Sequence, residues 1–225
     1  RLPKLLTQTS TCWHYPLQVD TAWADAAVHQ IAQEQRALSA ATACAIADQL
    51  ADFQRPTLLL DIGGGPGLIT IALAERFPQL STIVFDLPQT ATVAQRNIEK
   101  AGLTRRCCAL AQFPPQRQVD IIWSSSFLYF VEDRQLMLRE WFDRLKPGGL
   151  LISAHAEIPD SPAEARLILP FFTPLMMRGY SVTDEGVLSS ELQQAGFVIE
   201  QTQRLQPFPM APLNVILARR PKTSE

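Results

Sequence analysis

Hydrophobic and polar positions in this chain form short apolar runs separated by longer amphipathic stretches. Five runs have the length and composition of buried parallel strands. They lie at residues 57–61, 81–86, 106–110, 119–123 and 150–154. The stretches between them include three with helical spacing, at residues 68–77, 89–101 and 131–145. This alternation predicts right-handed crossovers and a doubly wound, mostly parallel α/β sheet.

The pattern changes before and after this alternation. An alanine-rich stretch at residues 21–51 predicts two helices with a bend between them. A helical insertion is expected at about residues 160–182, and another helix at residues 183–195. Two final strands, at residues 197–203 and 214–219, are joined by a loop too short for a crossover, which predicts an antiparallel last strand.

We therefore expect a seven-stranded sheet with an N-terminal helical extension. The extension would occupy residues 1–51, and the domain residues 52–225. The chain opens with Arg1 rather than Met, so whether the native N-terminus is missing is left open.

Composition and charge indicate a globular domain and exclude some classes of partner. Of the 225 residues, 47% are hydrophobic and the formal net charge is -2, which is typical of a globular domain. Lysine and arginine are scattered, so no nucleic-acid partner is expected.

No apolar run is long enough to cross a bilayer and no signal peptide is visible, which predicts a cytoplasmic protein without a membrane partner. The four cysteines lack metal-ligand spacing, so no metal is expected.

A glycine-rich segment between a predicted strand and a predicted helix carries the main functional signal. Residues 61–67 read DIGGGPG, at the place where an open α/β sheet binds its ligand. The glycines are Gly63, Gly64, Gly65 and Gly67. Leu68 replaces the last small residue of the dinucleotide fingerprint, which disfavours NAD. The leading Asp61 favours a nucleoside with a cationic amino-acid tail, because a carboxylate would repel a pyrophosphate.

A second carboxylate, Asp86, ends the next predicted strand. It can accept hydrogen bonds from both hydroxyls of a ribose, or it can cap the helix that starts near Pro88. Together with Asp61 and the spaced glycines, it favours the ligand interpretation.

These motifs resemble the nucleoside-binding half of class I S-adenosylmethionine-dependent methyltransferases. Residues 60–67 (LDIGGGPG) and 85–88 (FDLP) are similar to the small-molecule O-methyltransferases of the plant caffeate and bacterial polyketide-tailoring type. Residues 145–152 (LKPGGLLI) and 195–197 (AGF) support the resemblance, which extends over about residues 37–219. It implies a Rossmann-like methyltransferase fold and an enzyme of secondary metabolism.

The resemblance assigns the cofactor site residue by residue. Asp61, Gly63 and Gly65 would hold the methionine part of S-adenosylmethionine, and Asp86 the ribose, with Leu87 beside the adenine. The remaining cofactor residues follow the third and fourth predicted strands. They are Gln112 and Phe113, expected at the adenine, and Ser124 and Ser125, expected beside the reaction centre.

The catalytic assignment departs from the family. A His-Asp pair usually follows the fourth strand, whereas this chain has Tyr129 and Phe130 there. Tyrosine is a poor base near neutral pH, so Tyr129 would orient a substrate or pack in the core. His155, at the end of the fifth predicted strand, is the candidate base, with a structural histidine as the alternative. His14 and His29 are expected at the surface, in packing or in a substrate pocket.

The expected reaction is methyl transfer to oxygen or carbon of a small aromatic or polyketide-like acceptor, with S-adenosylhomocysteine as product. Three alternatives remain: a different reaction at the same cofactor, such as a cyclisation; a non-catalytic binding role; and, least favoured, an NAD-dependent oxidoreductase. The resembling family usually carries an N-terminal winged-helix dimerisation domain, for which residues 1–51 are too short, so a homodimer is left open.

Overall fold

The computed structural model describes residues 17–112, 117–205 and 213–222. Its strands are β1 (Thr57–Ile62), β2 (Leu80–Phe85), β3 (Cys107–Leu110), β4 (Val119–Ser125), β5 (Leu145–Ala156), β6 (Val198–Leu205) and β7 (Leu213–Arg219). They form one mixed, mostly parallel sheet in the order β3-β2-β1-β4-β5-β7-β6. The predicted fold class is confirmed. The chain divides into two compact units, one ending at Ile122 and the other beginning at Trp123.

Helices of the N-terminal unit lie before and between its strands. They are α1 (Leu17–Val28), α2 (Gln30–Glu34), a π-helical turn (Gln35–Ser39), α3 (Ala40–Ala47), a 3-10 turn (Ala51–Gln54), α4 (Leu68–Arg76) and α5 (Pro88–Lys100). The predicted bend is the break at His29 between α1 and α2. Helix α1 packs against α5, and α3 against α4, so the N-terminal helices belong to this unit's core.

The strand register of the N-terminal unit brings the predicted site motifs to one edge of the sheet. Strand β1 pairs with β2 in parallel, with Ile62 opposite Phe85. The two strands therefore end side by side, and the glycine segment and Asp86 continue from them. Beneath this edge, Ile71 and Ala74 of α4 pack with Val84 of β2 and Ile98 of α5.

The C-terminal unit contains a 3-10 turn (Leu128–Phe130), α6 (Arg134–Arg144), α7 (Pro162–Met177) and α8 (Val187–Gln194). Strand β7 pairs antiparallel with β6, as the short connection predicted, and it also pairs antiparallel with β5. One hydrophobic cluster of this unit packs Ile168 and Phe172 of α7 against Tyr129 and Ala156.

Several element boundaries differ from the predictions; helix α8, for example, begins at Val187 rather than at residue 183. Helix α6 begins at Arg134 rather than near residue 131, because the Asp133 side chain caps it by accepting the N–H of Leu136 at 2.9 Å. Strand β5 begins at Leu145, so residues 146–149, predicted as a helix stop, belong to the strand. No helix in the described part of the chain is long and apolar enough to span a membrane. The domain boundary at residue 51 stays a prediction.

Candidate cofactor site

The glycine segment makes a tight turn from the end of β1 into α4. Gly63 donates its N–H to the Phe85 carbonyl of β2 at 2.9 Å, and Gly67 donates to the Gly64 carbonyl at 3.1 Å. Gly65 and Gly67 have φ of 59° and 74°, in the left-handed region that residues with a Cβ rarely adopt. Asn97 of α5 donates to the Pro66 carbonyl at 2.9 Å and holds the far side of the turn.

Gly64 is required for a different reason, which is space. A Cβ built on Gly64 would lie 2.6 Å from Asp61 Oδ2 and 2.9 Å from Val84 Cγ1. The backbone of the segment therefore lies directly against the Asp61 carboxylate. The sequence pattern emphasised the alternate glycines, but Gly64 is the one that permits this close approach.

Asp61 lies at the end of β1 and is 2% exposed. Its Oδ2 accepts a hydrogen bond from the Thr70 hydroxyl of α4 at 2.6 Å. The pKa of Asp61 is raised to about 7, mainly by burial; the Thr70 hydrogen bond lowers it in part and the charge of Asp86 raises it. Sequence reasoning missed Thr70, whose only signal is a single polar residue on the buried side of an apolar helix.

Asp86 holds the glycine segment from the β2 side. Its Oδ2 accepts the N–H of Gly65 at 2.8 Å and its Oδ1 accepts the N–H of Leu87 at 2.7 Å. Burial raises the pKa of Asp86 to about 6, although both backbone hydrogen bonds lower it, and the charge of Asp20 also raises it. Asp86 therefore holds the glycine loop next to Leu87, the residue that precedes α5, and its ribose contact stays a prediction.

Two side chains from the N-terminal helices also reach these elements. Asp20 of α1 accepts the N–H of Gln89, in the first turn of α5, at 3.1 Å. Gln35, in the π-helical turn, accepts the N–H of Leu68 at 3.0 Å and donates to the Gly64 carbonyl at 3.3 Å. Both residues are buried. Neither contact is visible in the local sequence, because the partners are 69 and 33 positions away.

The other predicted cofactor residues have mixed outcomes. Leu87 is buried at the start of α5, and Gln112 is exposed just after β3. Phe113 lies outside the described residues. Ser124 and Ser125 end β4, with Ser124 fully buried, and they belong to the C-terminal unit. Their cofactor contacts stay predictions.

His155, in the C-terminal unit, has the environment of a structural histidine. The chain turns at Ser126, which has φ of 54°, and the next two N–H groups, of Phe127 and Leu128, donate to His155 Nε2 at 3.1 and 3.0 Å. The ring proton must then sit on Nδ1, 2.9 Å from the Ser153 hydroxyl. Burial lowers the pKa of His155 to about 3. These contacts argue against the predicted general-base role, because Nε2 already accepts two hydrogen bonds.

Tyr129 is also held by the backbone. Its hydroxyl accepts the N–H of Ala156 at 2.6 Å and lies 3.2 Å from the Ala156 carbonyl, to which it donates. The ring packs edge-on against His155, with centroids 5.6 Å apart. Burial raises the pKa of Tyr129 well above its usual range. The core interpretation of Tyr129 fits this geometry, whereas the substrate-orienting one does not.

His29 is exposed beside Asp25, with 3.7 Å between Nε2 and Oδ1, and His14 lies outside the described residues. Within the described ranges, no group of three or more histidine, cysteine, aspartate or glutamate side chains is arranged to hold a metal ion.

Comparison with known proteins finds similarity to methyltransferases. Residues 60–153 match a family described as a methyltransferase domain. The chain is 27% identical over 179 residues to L-tyrosine C(3)-methyltransferase of Streptomyces lavendulae, covering 76% of this chain and 49% of that protein. It is 28% identical over 167 residues to demethylspheroidene O-methyltransferase of Rhodobacter capsulatus, covering 71% and 41%.

A solved structure shares the fold. An O-methyltransferase family protein from Burkholderia thailandensis superposes with a TM-score of 0.72 at 17% identity, over 92% of this chain and 61% of that one. At this identity the likeness establishes the fold. The chain spans about half of the length of the relatives that it matches, or less.

Proposed function

We propose that the protein transfers a methyl group from S-adenosylmethionine to a small molecule, because residues 60–153 match a family described as a methyltransferase domain. The acceptor atom is an oxygen or a carbon. The two relatives described above are named for a C-methylation of tyrosine and an O-methylation of demethylspheroidene, and both names support a small-molecule acceptor.

One observation carries the proposal: two desolvated carboxylates border the glycine loop. Burial raises the pKa of both Asp61 and Asp86, and no cation is among the groups that shift either pKa in the described part of the chain. A ligand with a sulfonium and an ammonium group supplies the missing positive charge, whereas a pyrophosphate adds negative charge. The loop also fits a ligand lying close to its backbone, because its four glycines present no side chain.

Each residue of the site then has a definite task. Bound S-adenosylmethionine supplies a methyl group already activated on a sulfonium. Asp61 and the glycine loop would hold the methionine part, and Asp86 would accept hydrogen bonds from the ribose. Asp86 has two oxygens whose remaining lone pairs are free for this purpose, since each accepts one backbone N–H in the structure.

The reaction that we propose uses no histidine base. His155 is the only histidine that the sequence places at a strand end, and its accepting nitrogen is engaged by backbone N–H groups. Positioning a donor and an acceptor can lower a barrier by roughly 7–11 kcal/mol, so methyl transfer does not require a dedicated base. An acceptor that ionises readily or reacts at carbon, such as a phenol or an enol, suits this arrangement best.

The binding test is calorimetric titration with S-adenosylmethionine and S-adenosylhomocysteine, with NAD as a comparison ligand. We expect micromolar affinity for both sulfur compounds and none for NAD. Asp86→Asn should weaken binding by tenfold or more, because it removes the charge and one hydrogen-bond acceptor. Asp25→Asn, at an exposed aspartate of the same unit, should bind like the wild type.

The activity test follows S-adenosylhomocysteine formation with a panel of phenols of graded acidity. We expect turnover to increase with phenol acidity, without a histidine titration in the pH profile. Binding without S-adenosylhomocysteine formation for any acceptor would support a non-catalytic role. Binding with consumption of an acceptor but no S-adenosylhomocysteine would indicate different chemistry, such as a cyclisation.

A further inference from the structure

The amide of Gln35 contacts both ends of the turn that leads into α4. Its Oε1 accepts the N–H of Leu68, the first residue of that helix, and its Nε2 donates to the carbonyl of Gly64. The residue preceding the helix is Gly67, which has no side chain to cap it. A side chain 33 positions away therefore satisfies a backbone donor that the local sequence leaves unpaired.

The helical segment around Gln35 also covers the loop at Gly65. A Cβ built on Gly65 would lie 3.4 Å from Ile31 Cγ2 and 3.8 Å from Gln35 Nε2. Ile31 and Gln35 are four positions apart, so they lie on the same face of the helix. Gly65 is held from its other side by Asp86, which accepts its N–H at 2.8 Å.

The polar groups of Gln35 have no solvent alternative. Gln35 is 6% exposed, and its amide would be left unsatisfied in the interior if the loop moved away. It lies in a π-helical turn, a local distortion that is frequent at functional sites. The loop is thus held in one shape before any ligand binds, and such preorganisation increases affinity.

We propose that Gln35 is a positioning residue of the S-adenosylmethionine site. The N-terminal helical segment then forms part of that site, because it holds the glycine loop. This inference rests on the proposed function. A neutral amide is needed at position 35 because its Oε1 holds the N–H of Leu68 and its Nε2 holds the carbonyl of Gly64. A carboxylate at position 35 would retain the first contact and repel the Gly64 carbonyl.

The variants are Gln35→Ala, Gln35→Met and Gln35→Glu, with Gln33→Ala as the matched control at an exposed glutamine one half-turn earlier. In ligand-free protein, hydrogen exchange of a peptide covering residues 63–70 should be at least tenfold faster in Gln35→Ala and Gln35→Met than in the control. Gln35→Glu should fall between them and the wild type. Thermal unfolding identifies any variant that has lost its global fold, and Gln35→Met, which retains volume, keeps the test usable.

Affinity and kinetics separate positioning from a general loss of stability. We expect the dissociation constant for S-adenosylhomocysteine to rise at least tenfold in folded Gln35→Met, and the KM for S-adenosylmethionine to rise with kcat within about twofold at saturation. Unchanged exchange and affinity in that variant would overturn the inference. If the wild type bound neither sulfur ligand, the proposed function would fail, whereas the exchange data would still decide whether Gln35 holds the loop.

Discussion

At the scale of single residues, glycine is needed at two positions of this chain for different reasons. At Gly64, Asp61 and Val84 leave no space for a side chain. Gly102, at the end of α5, has φ of 70° and nothing within 4 Å of a built Cβ. One position is restricted by space and the other by backbone conformation.

Alanine substitution should distinguish these two restrictions. We expect Gly64→Ala to destabilise the protein by about 1–3 kcal/mol through overpacking, and to weaken S-adenosylhomocysteine binding by tenfold or more. Gly102→Ala should cost about 1–2 kcal/mol through its left-handed backbone while leaving binding unchanged. Denaturant unfolding and calorimetry measure both effects. Equal binding by the two variants would show that the Asp61 contact is unimportant for the ligand.

His155 lies where the sequence predicted it, and its contacts favour the structural interpretation over the general-base one. The sequence located it correctly at the end of a strand, in β5. The two N–H groups that donate to its Nε2 come from residues 27 and 28 positions away, after a turn at a non-glycine residue with positive φ. No periodicity or motif encodes that turn, so the general-base hypothesis could not be tested before the structure was known.

At the scale of elements, α7 has one buried and one exposed apolar face. Phe172 and Ile168 are buried, while Phe171 is 51% exposed and Met177 83%. Met176, one position before Met177, is also exposed, at 41%. The Phe172 ring lies 5.4 Å from Tyr129, between ring centroids.

The neighbouring phenylalanines of α7 provide a matched pair for a stability test. Phe172→Ala should reduce the free energy of unfolding by about 3–5 kcal/mol, because it leaves a cavity against Tyr129. Phe171→Ala should reduce it by about 1 kcal/mol or less, because half of its side chain is already in water. Chemical denaturation measures the difference. Similar losses at both positions would mean that the exposed face of α7 is covered in solution.

Elements were predicted better than their contacts. Strands β1, β2 and β4 and helices α4 and α5 follow local apolar runs and helical spacing, so their positions agree to within one or two residues at most ends. The glycine loop and Asp86 could be placed because strand ends and glycines are visible locally. Gln35, Asp20 and Thr70 could not, since each meets its partner only after the helices have packed.

At the scale of the whole molecule, buried Asp61 makes stability depend on pH. Its folded-state pKa of about 7 lies above that of an unfolded aspartate, about 4. The folded protein therefore binds the proton more tightly, and the free energy of unfolding should fall as the pH rises from about 4 to 7.

Removing this carboxyl should flatten the pH dependence. We expect Asp61→Asn to show a smaller loss of stability between pH 4 and 7 than the wild type, with Asp25→Asn, at an exposed aspartate, unchanged. Asparagine still has an oxygen to accept the Thr70 hydroxyl. Urea unfolding of the ligand-free protein at several pH values measures this. An unaltered slope in Asp61→Asn would assign the dependence to other groups.

The same pKa values predict a pH-dependent affinity. A cationic ligand prefers the ionised carboxylates, so binding of S-adenosylmethionine should strengthen as the pH rises through about 6 to 7, while the ligand-free fold weakens. Calorimetric measurement of the dissociation constant for S-adenosylmethionine at pH 5 and pH 8 tests this prediction. A constant affinity over that range would contradict it.

The helical segment that carries Gln35 also makes the site sensitive to chain length. It runs without a break from Gln30 through the π-helical turn to Ala47. Deleting one residue from α3 would rotate the preceding residues by ~100° about the helix axis relative to the rest of α3. Ile31 and Gln35 would leave the glycine loop together, although neither residue had been changed. In this segment, a one-residue gap should therefore be more damaging than most substitutions.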